Sequence, residues 1–240
     1  MYSRILFVVF LVCSVDALSA PFITKCKSND SKCMKETAQS SVPIFAAGIP
    51  ELGVETLDPL TVKHLDASAA GLSLQMRELS ITGLKDCAIR KVQRDTTKSS
   101  LLVQVQCGVI DVKAKYETKG RLLLLPIEGN GDAHIILRNV VIQVEGNLVD
   151  SIGSDGQKYF AAKNIKHKYD LRDKSSIDLT NLFNGNELLS RAARELIAAS
   201  SNEIVTEIGT PVIKVILDRI IQNIVRFFDH VPVSELSLDI

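Results

Sequence analysis

An α+β fold, in which a long C-terminal helix is wrapped by a highly curved antiparallel β-sheet, is predicted by three features of this 240-residue sequence. From Leu52 to about Leu179, apolar residues alternate with polar ones over runs of about ten residues, longer than the usual strand of about five or six. Polar turns and changes of phase punctuate those runs, which marks hairpins and bulges rather than βαβ units. Beyond Asn186 the apolar residues change to helical spacing, and the second helical stretch is apolar around most of its circumference.

Composition narrows the function. Lys plus Arg and Asp plus Glu both number 28, so the net charge is zero. No charge excess recruits phosphates. Aromatic residues make up 5% and Trp is absent, which leaves little surface for stacking on bases. Nucleic acid is therefore excluded as a partner. With 46% hydrophobic and 23% charged residues, the chain is an ordinary globular one.

The elements follow in order. Arg4 precedes the apolar run Ile5 to Val15, which at about eleven residues is too short to span a bilayer. Val15-Asp16-Ala17 fits a small-x-small cleavage site, so residues 1–17 are expected to be a signal peptide and 18–240 a single secreted domain. Cys13 leaves with the signal, and Cys26, Cys33, Cys87 and Cys107 remain for an oxidising compartment. Three pairings are open to four cysteines. Cys26 and Cys33 enclose a short polar loop that carries the glycosylation triplet Asn29-Asp30-Ser31. Cys87 and Cys107 lie opposite each other in a hairpin centred on Thr97, where cross-strand Cβ atoms come within bridging range.

Ser31 to Ala47 reads as an amphipathic helix containing Pro43 and ending near Gly48-Ile49-Pro50. Leu72, Leu74 and Met76 alternate with polar residues. So do Val103, Val105, Cys107 and Val109. At Val109-Ile110 the phase changes, and a β-bulge is expected there. Leu122 to Leu125 is apolar on both phases, as in a strand covered on both faces. Asn130-Gly131 predicts a hairpin turn that pairs 134–144 with 121–127. Further strands are expected at 158–171 and 176–179. The helical part reads as Asn186 to Ile208, with Leu188, Leu189, Ala192, Leu196, Ile204 and Ile208 on its apolar face. Gly209-Thr210-Pro211 then interrupts it, with Thr210 as a cap, and a second helix runs to about Phe228.

Catalytic chemistry finds no support in this pattern. His64, His134, His167 and His230 form no metal pair, and Gly153-Ser154-Asp155-Gly156 lacks the spacing of a nucleophile elbow. No catalytic residue, metal or cofactor is expected. The basic run Lys163, Lys166, Lys168, Arg172 and Lys174 reads as protection of a solvated strand edge. Its alternative role is contact with an acidic membrane surface or a receptor, in an extracellular protein whose core is filled rather than hollow. A long helix laid in a curved sheet leaves apolar room suited to a hydrophobic ligand. The strand residues proposed to line it are Leu72, Leu74, Met76, Val103 and Val105, followed by Leu123, Leu125, Ile135 and Leu137. The helices add Ile204, Ile208, Ile220 and Phe227.

Several segments together resemble the takeout and juvenile hormone-binding protein family of insects. Cys26-Lys27, Cys33 and Gly48-Ile49-Pro50-Glu51-Leu52-Gly53 resemble its N-terminal cysteine pair and linker. Leu57-Asp58-Pro59-Leu60, Leu79 to Leu84 and Gly120 to Gly131 are similar to its following strands and turns. Asn181 to Asn186 resembles the start of its long helix, and Phe228 through Val231-Pro232 the end. The resemblance implies one module of a tubular lipid-binding fold, a disulfide between Cys26 and Cys33, no catalytic residues, and a monomeric extracellular carrier of a terpenoid, fatty acid or quinone-like lipid. No Cys follows Cys107, whereas hormone-binding members of the blood type carry a second disulfide reaching the C-terminal helix region. The chain is in this respect more similar to the takeout branch, and broad binding with weak preference for the hormone is expected.

Overall fold

A computed structural model of the protein describes residues 20–123 and 125–239, so the expected signal peptide lies outside the described residues. The fold is α+β, as the periodicity predicts. Seven strands form one antiparallel sheet: β1 (Leu60–Asp66), β2 (Leu72–Thr82), β3 (Ala88–Asp95), β4 (Ser100–Leu122), β5 (Leu125–Ile152), β6 (Lys158–Leu171) and β7 (Ser176–Leu179). Its spine is the hairpin β4–β5, of 23 and 28 residues, paired without interruption of register from Leu122↔Leu125 to Ser100↔Asn147. Along the free edge of β4 lie β3 and then β2, end to end. Along the free edge of β5 lie β7 and then β6. β1 extends the sheet beyond β2, so β1 and β3 bound one side of the sheet, β6 and β7 the other, and the sheet does not close.

Two sequence expectations are corrected along this spine. The apolar run at Leu122–Leu125 is no doubly covered strand. It is the apex of the hairpin, with Leu123 at a φ of 55°. Asn130-Gly131 is no turn either, because both residues lie inside β5 opposite Glu117 and Tyr116. Gly129 and Gly131 serve close approach instead. A Cβ on Gly131 would meet Thr180 Oγ1 at 2.5 Å and Thr180 O at 2.7 Å, and one on Gly129 would meet Asn181 O at 3.0 Å. The segment after β7 crosses the sheet there, and only glycine leaves room for it.

The phase change in β4 is real but is not a one-strand bulge. Cys107 and Ile110 are both buried, and on the partner strand so are Leu137 and Val140. Cys107 faces Val140 and Val109 faces Arg138, so the register is the same on either side. Both strands change phase together, with Asn139 at a φ of 49°. True register shifts occur elsewhere, between Arg77 and Ser80 in β2, Ile89 and Lys91 in β3, and Glu145 and Asn147 in β5. Such irregularities bend a sheet.

The β3–β4 hairpin pairs Asp95 with Ser100, and the shift beyond Ile89 brings position 87 opposite 107. Cys87 and Cys107 are disulfide-bonded with Cα atoms 4.2 Å apart, and Cys26 and Cys33 with Cα atoms 5.7 Å apart. Helix α1 (Ser31–Ala47) has the predicted bounds and is capped by Asp30, whose carboxylate accepts from Cys33 N. It packs on β3, where the Gln39 amide donates to Cys87 O and accepts from Ile89 N.

The C-terminal rod has three pieces rather than two: α2 (Glu187–Ala199), α3 (Ser201–Glu207) and α4 (Thr210–His230), followed by the short α5 (Val233–Leu236). Thr210 does not cap α4. Its hydroxyl donates back to Thr206 O, while Pro211 occupies the first turn. The apolar face expected for α2 is also corrected, since Leu188, Leu189 and Ala192 are exposed. Ser190, Ala193 and Ile197 face inward, and the Ser190 hydroxyl donates to Leu182 O. α4 lies across the open side of the sheet and touches both edge strands, β1 and β6.

The two disulfides close loops of different length, with sequence separations of 20 and 7. On loop entropy, replacing Cys87 and Cys107 by Ser is expected to cost about 3 kcal/mol, and replacing Cys26 and Cys33 about 1 kcal/mol less. Urea midpoints of the two double variants measure the order. A larger loss for the Cys26/Cys33 variant would contradict it.

Candidate functional site

Between the concave face of the sheet and the C-terminal helices lies a long apolar interior. Its centre joins Met76, Ile81, Ile110, Val112 and Leu137 of the sheet to Val212, Ile213, Ile216 and Leu217 of α4. Val62 and Leu65 of β1 and Tyr169 and Leu171 of β6 close on it from either edge, so α4 fills the gap the open sheet leaves. At one end the interior continues into a second cluster, where Leu72, Leu122 and Ile127 meet Ala193, Ile197, Ile204 and Ile208. At the other end Phe227 packs with Leu52, Val54 and Val231, and its ring centroid lies 5.1 Å from that of Phe45.

The residues proposed to line this interior distribute along it. Met76 and Leu137 are buried in the central cluster, with Leu74, Val105, Ile135 and Ile220 half-buried against it. Leu72, Ile204 and Ile208 are buried in the end cluster, with Leu123 and Leu125 against them. Phe227 belongs to the opposite end. Val103 is half-buried and joins none of these groups. Sequence reasoning missed Ile142, which the phase change at Asn139 turns inward, and Tyr116 and Ala133 of the end cluster. The three-residue step from Leu137 to Val140 was the available signal, since it mirrors the step in β4.

Polar groups in this interior are largely paired with backbone. The Tyr116 hydroxyl donates to Thr180 O at 2.7 Å, Thr118 Oγ1 donates to Ser73 O at 2.9 Å, and Asn223 donates to Glu55 O and accepts from Glu55 N. Such pairing removes the cost of burying these groups and leaves the rest of the interior aliphatic. Burial pushes the Tyr116 phenol up to about 12. The hydroxyls of Ser175 and Ser201 are buried without a partner among the described residues.

Outside the interior, no group of three or more His, Cys, Asp or Glu side chains is placed to hold a metal ion among the described residues. His134 Nε2 lies 2.8 Å from Asp111 Oδ2, both side chains partly exposed. Lys163, Lys166, Lys168, Arg172 and Lys174 are all exposed along and beyond edge strand β6, and Arg172 pairs with Asp170. Asn29 is exposed in the loop closed by the first disulfide. No helix among the described residues is long and apolar enough to cross a membrane.

Comparison with known proteins points in one direction. The family model described as haemolymph juvenile hormone binding protein matches residues 5–238. The circadian clock-controlled protein daywake of Drosophila melanogaster is 30% identical over 191 residues, covering 74% of this chain and 73% of that one. A putative beta-carotene-binding protein of Schistocerca gregaria is 28% identical over 128 residues, covering 52% and 51%. The crystal structure of Takeout 1 from Epiphyas postvittana superposes with a TM-score of 0.86 at 31% identity, covering 90% of this chain and all of that one.

The Tyr116 environment is directly measurable. Its phenol, raised from about 10 by burial, stays protonated in the folded protein while the unfolded chain ionises. Stability is therefore expected to fall as pH rises from about 10 to about 12. The phenolate absorbance that distinguishes wild type from Tyr116→Phe should appear only near the top of that range. Its appearance at about pH 10 in folded protein would contradict the burial of this side chain.

Proposed function

This chain belongs to the haemolymph juvenile hormone binding protein family, and on that premise we propose that it is a secreted, extracellular carrier holding a small hydrophobic ligand between the sheet and α4. The observation that carries the reading is the apolar interior running from the Leu72 cluster, past α4, to the Phe227 cluster. A terpenoid, fatty acid or quinone-like lipid suits that chemistry. Desolvation drives the binding. Burying about 300–400 Å² of ligand surface at about 25 cal/mol/Å² yields about 8–10 kcal/mol before the costs of association, and micromolar affinity needs about 8. The protein acts as a monomer by binding alone, with no reaction, cofactor or nucleic acid involved.

Selectivity in such an interior is broad. Aliphatic walls discriminate by length and girth, and one methylene is worth about 1–3 kcal/mol. The relatives support this reading, since the Schistocerca protein is named for beta-carotene and the family for juvenile hormone. Preference for the hormone is expected to be weak, because the polar groups of the interior are mostly committed to backbone partners. The exposed Asn29 sequon is proposed to carry a glycan, since nothing is packed over it.

Native mass spectrometry of protein from its natural source tests the carrier reading. A bound organic molecule of a few hundred daltons is expected, displaced by long-chain fatty acids with micromolar competition against a fluorescent analogue. An unliganded protein that displaces no probe, yet sediments with anionic vesicles through Lys163 to Lys174, would replace this reading with a membrane-surface role.

A further inference from the structure

The apolar interior is closed at both of its ends. At one, Leu72, Leu122 and Leu182 are buried together with Ala193 and Ile197 of α2. At the other, the rings of Phe22, Phe45 and Phe227 lie against one another, with centroids 5.1 to 6.3 Å apart, beside buried Leu52 and Val231. A ligand held between the sheet and α4 therefore has to pass α4 along one of its flanks.

The two flanks are held very differently. On one, buried Asn223 is bonded to both the N–H and the carbonyl of Glu55, and Arg219 and Arg226 pair with the Glu55 carboxylate. On the other lies β6, and a single hydrogen bond joins it to α4 among the described residues, between the Tyr169 and Thr210 hydroxyls at 3.3 Å. The second contact is between rings, Phe160 against Phe228 at 5.9 Å. Positions 210 and 228 differ by 18, five turns at about 3.6 residues per turn, so both contacts leave α4 from one line along its side. Those 18 residues span about 27 Å of helix, and the nine from Tyr169 back to Phe160 about 30 Å of strand. The two elements thus run side by side in opposite directions, pinned at two points.

Between the pins the seam stands open. Leu217, Ile221 and Ile224 lie within about 40° of the same line on α4, yet Ile221 is half-buried and Ile224 is 38% exposed. On the strand, Ile165 is half-buried and His167 is exposed. Just inside, Val144 is the cross-strand neighbour of His167, and it is only half-buried against the central cluster, as is Ile220 of α4. The N-terminal half of α4 leaves no such gap, since Val212, Ile213 and Ile216 are buried with Ile110, Val112 and Leu137. The sheet supplies the reason. β5 and β6 shift register between Glu145 and Asn147, and Asn164 takes a φ of 52°, so β6 bends midway between its two contacts with α4.

We propose that the ligand enters and leaves sideways through this mouth, passing Ile221 and Ile224 on one side and Ile165 on the other to reach Val144 and Ile220 within. The proposal rests on the carrier reading and adds the route that such a carrier needs. Aliphatic side chains along the route shield a hydrophobic chain from water during its passage.

The test blocks the mouth. All four cysteines among the described residues are in disulfides, so Ile224→Cys provides a single thiol for a bulky maleimide. Stopped-flow fluorescence with cis-parinaric acid reads association and release. The label at position 224 is expected to slow both by at least about tenfold and to leave their ratio, the Kd, unchanged, because a barrier on the route acts on both directions alike. The same label on Leu188→Cys, at a position 79% exposed on α2 at the closed end, should leave both rates as in wild type. Ile224→Trp, which needs no label, should repeat the slowing. Unaltered rates with the mouth labelled, or slowing by the label at position 188 instead, would overturn the side entrance and leave the carrier reading intact. So would a label at position 224 that raises Kd without slowing association. Failure of wild type to bind cis-parinaric acid would overturn both.

Discussion

The constraint on which the rest of the structure depends is an apolar concave sheet face whose two edge strands do not meet. Exposed, it would forfeit the burial of every inward residue of β2, β4 and β5, at about 25 cal/mol for each Å². α4 answers it by presenting Val212, Ile213, Ile216 and Leu217 to the sheet and touching β1 and β6 at once. The breadth of its apolar arc is thus explained, although Ile224 remains exposed to solvent. A polar clasp sets where α4 sits. Buried Asn223 meets both the N–H and the carbonyl of Glu55 as a neighbouring strand would, and Arg219 and Arg226 pair with the Glu55 carboxylate at 2.7 and 2.8 Å. Hydrogen bonding to Arg226 lowers that carboxyl from its ordinary value, against an opposing desolvation and with help from the nearby charges of Arg226 and Arg219. Those ion pairs are exposed and contribute little, so Asn223 is the part of the clasp whose loss would leave buried groups unpaired.

Curvature comes from irregularity placed at matching depths. Glu78 in β2, Asn139 in β5 and Asn164 in β6 all take positive φ, and each sits beside a change of phase or register in its own or its partner strand. A flat sheet of this length could not wrap a single helix. Bending brings Leu60 of β1 and Leu171 of β6, at opposite edges, into the same cluster. The price is local, and the gain is an apolar interior closed on both edges by β1 and β6.

Much of this was legible in the sequence, for identifiable reasons. The bounds of α1 and of β6 and β7 followed from period and punctuation, because Gly48-Ile49-Pro50 and the polar loops are local signals. The Cys87–Cys107 bridge followed from hairpin symmetry. The Asn130-Gly131 dipeptide misled, because turn propensity is local whereas the reason for Gly129 and Gly131 is a crossing segment about fifty residues away at Thr180 to Leu182. Leu188 and Leu189 misled in the same way. Helical spacing identifies a stripe but not which of two stripes meets the sheet, and the Ser190 bond to Leu182 O is a tertiary fact. The seam between α4 and β6 was not legible, since Tyr169 and Thr210 lie 41 residues apart in the chain.

Hydrogen exchange measured with and without a long-chain fatty acid tests most directly whether the interior under α4 holds the ligand. The account predicts slowed exchange in α3 and α4 and in the central stretches of β4 and β5 around Val112 and Leu137, with little change along the exposed edge of β6. Protection confined to the β6 edge, or absent from α4 at saturating ligand, would contradict it.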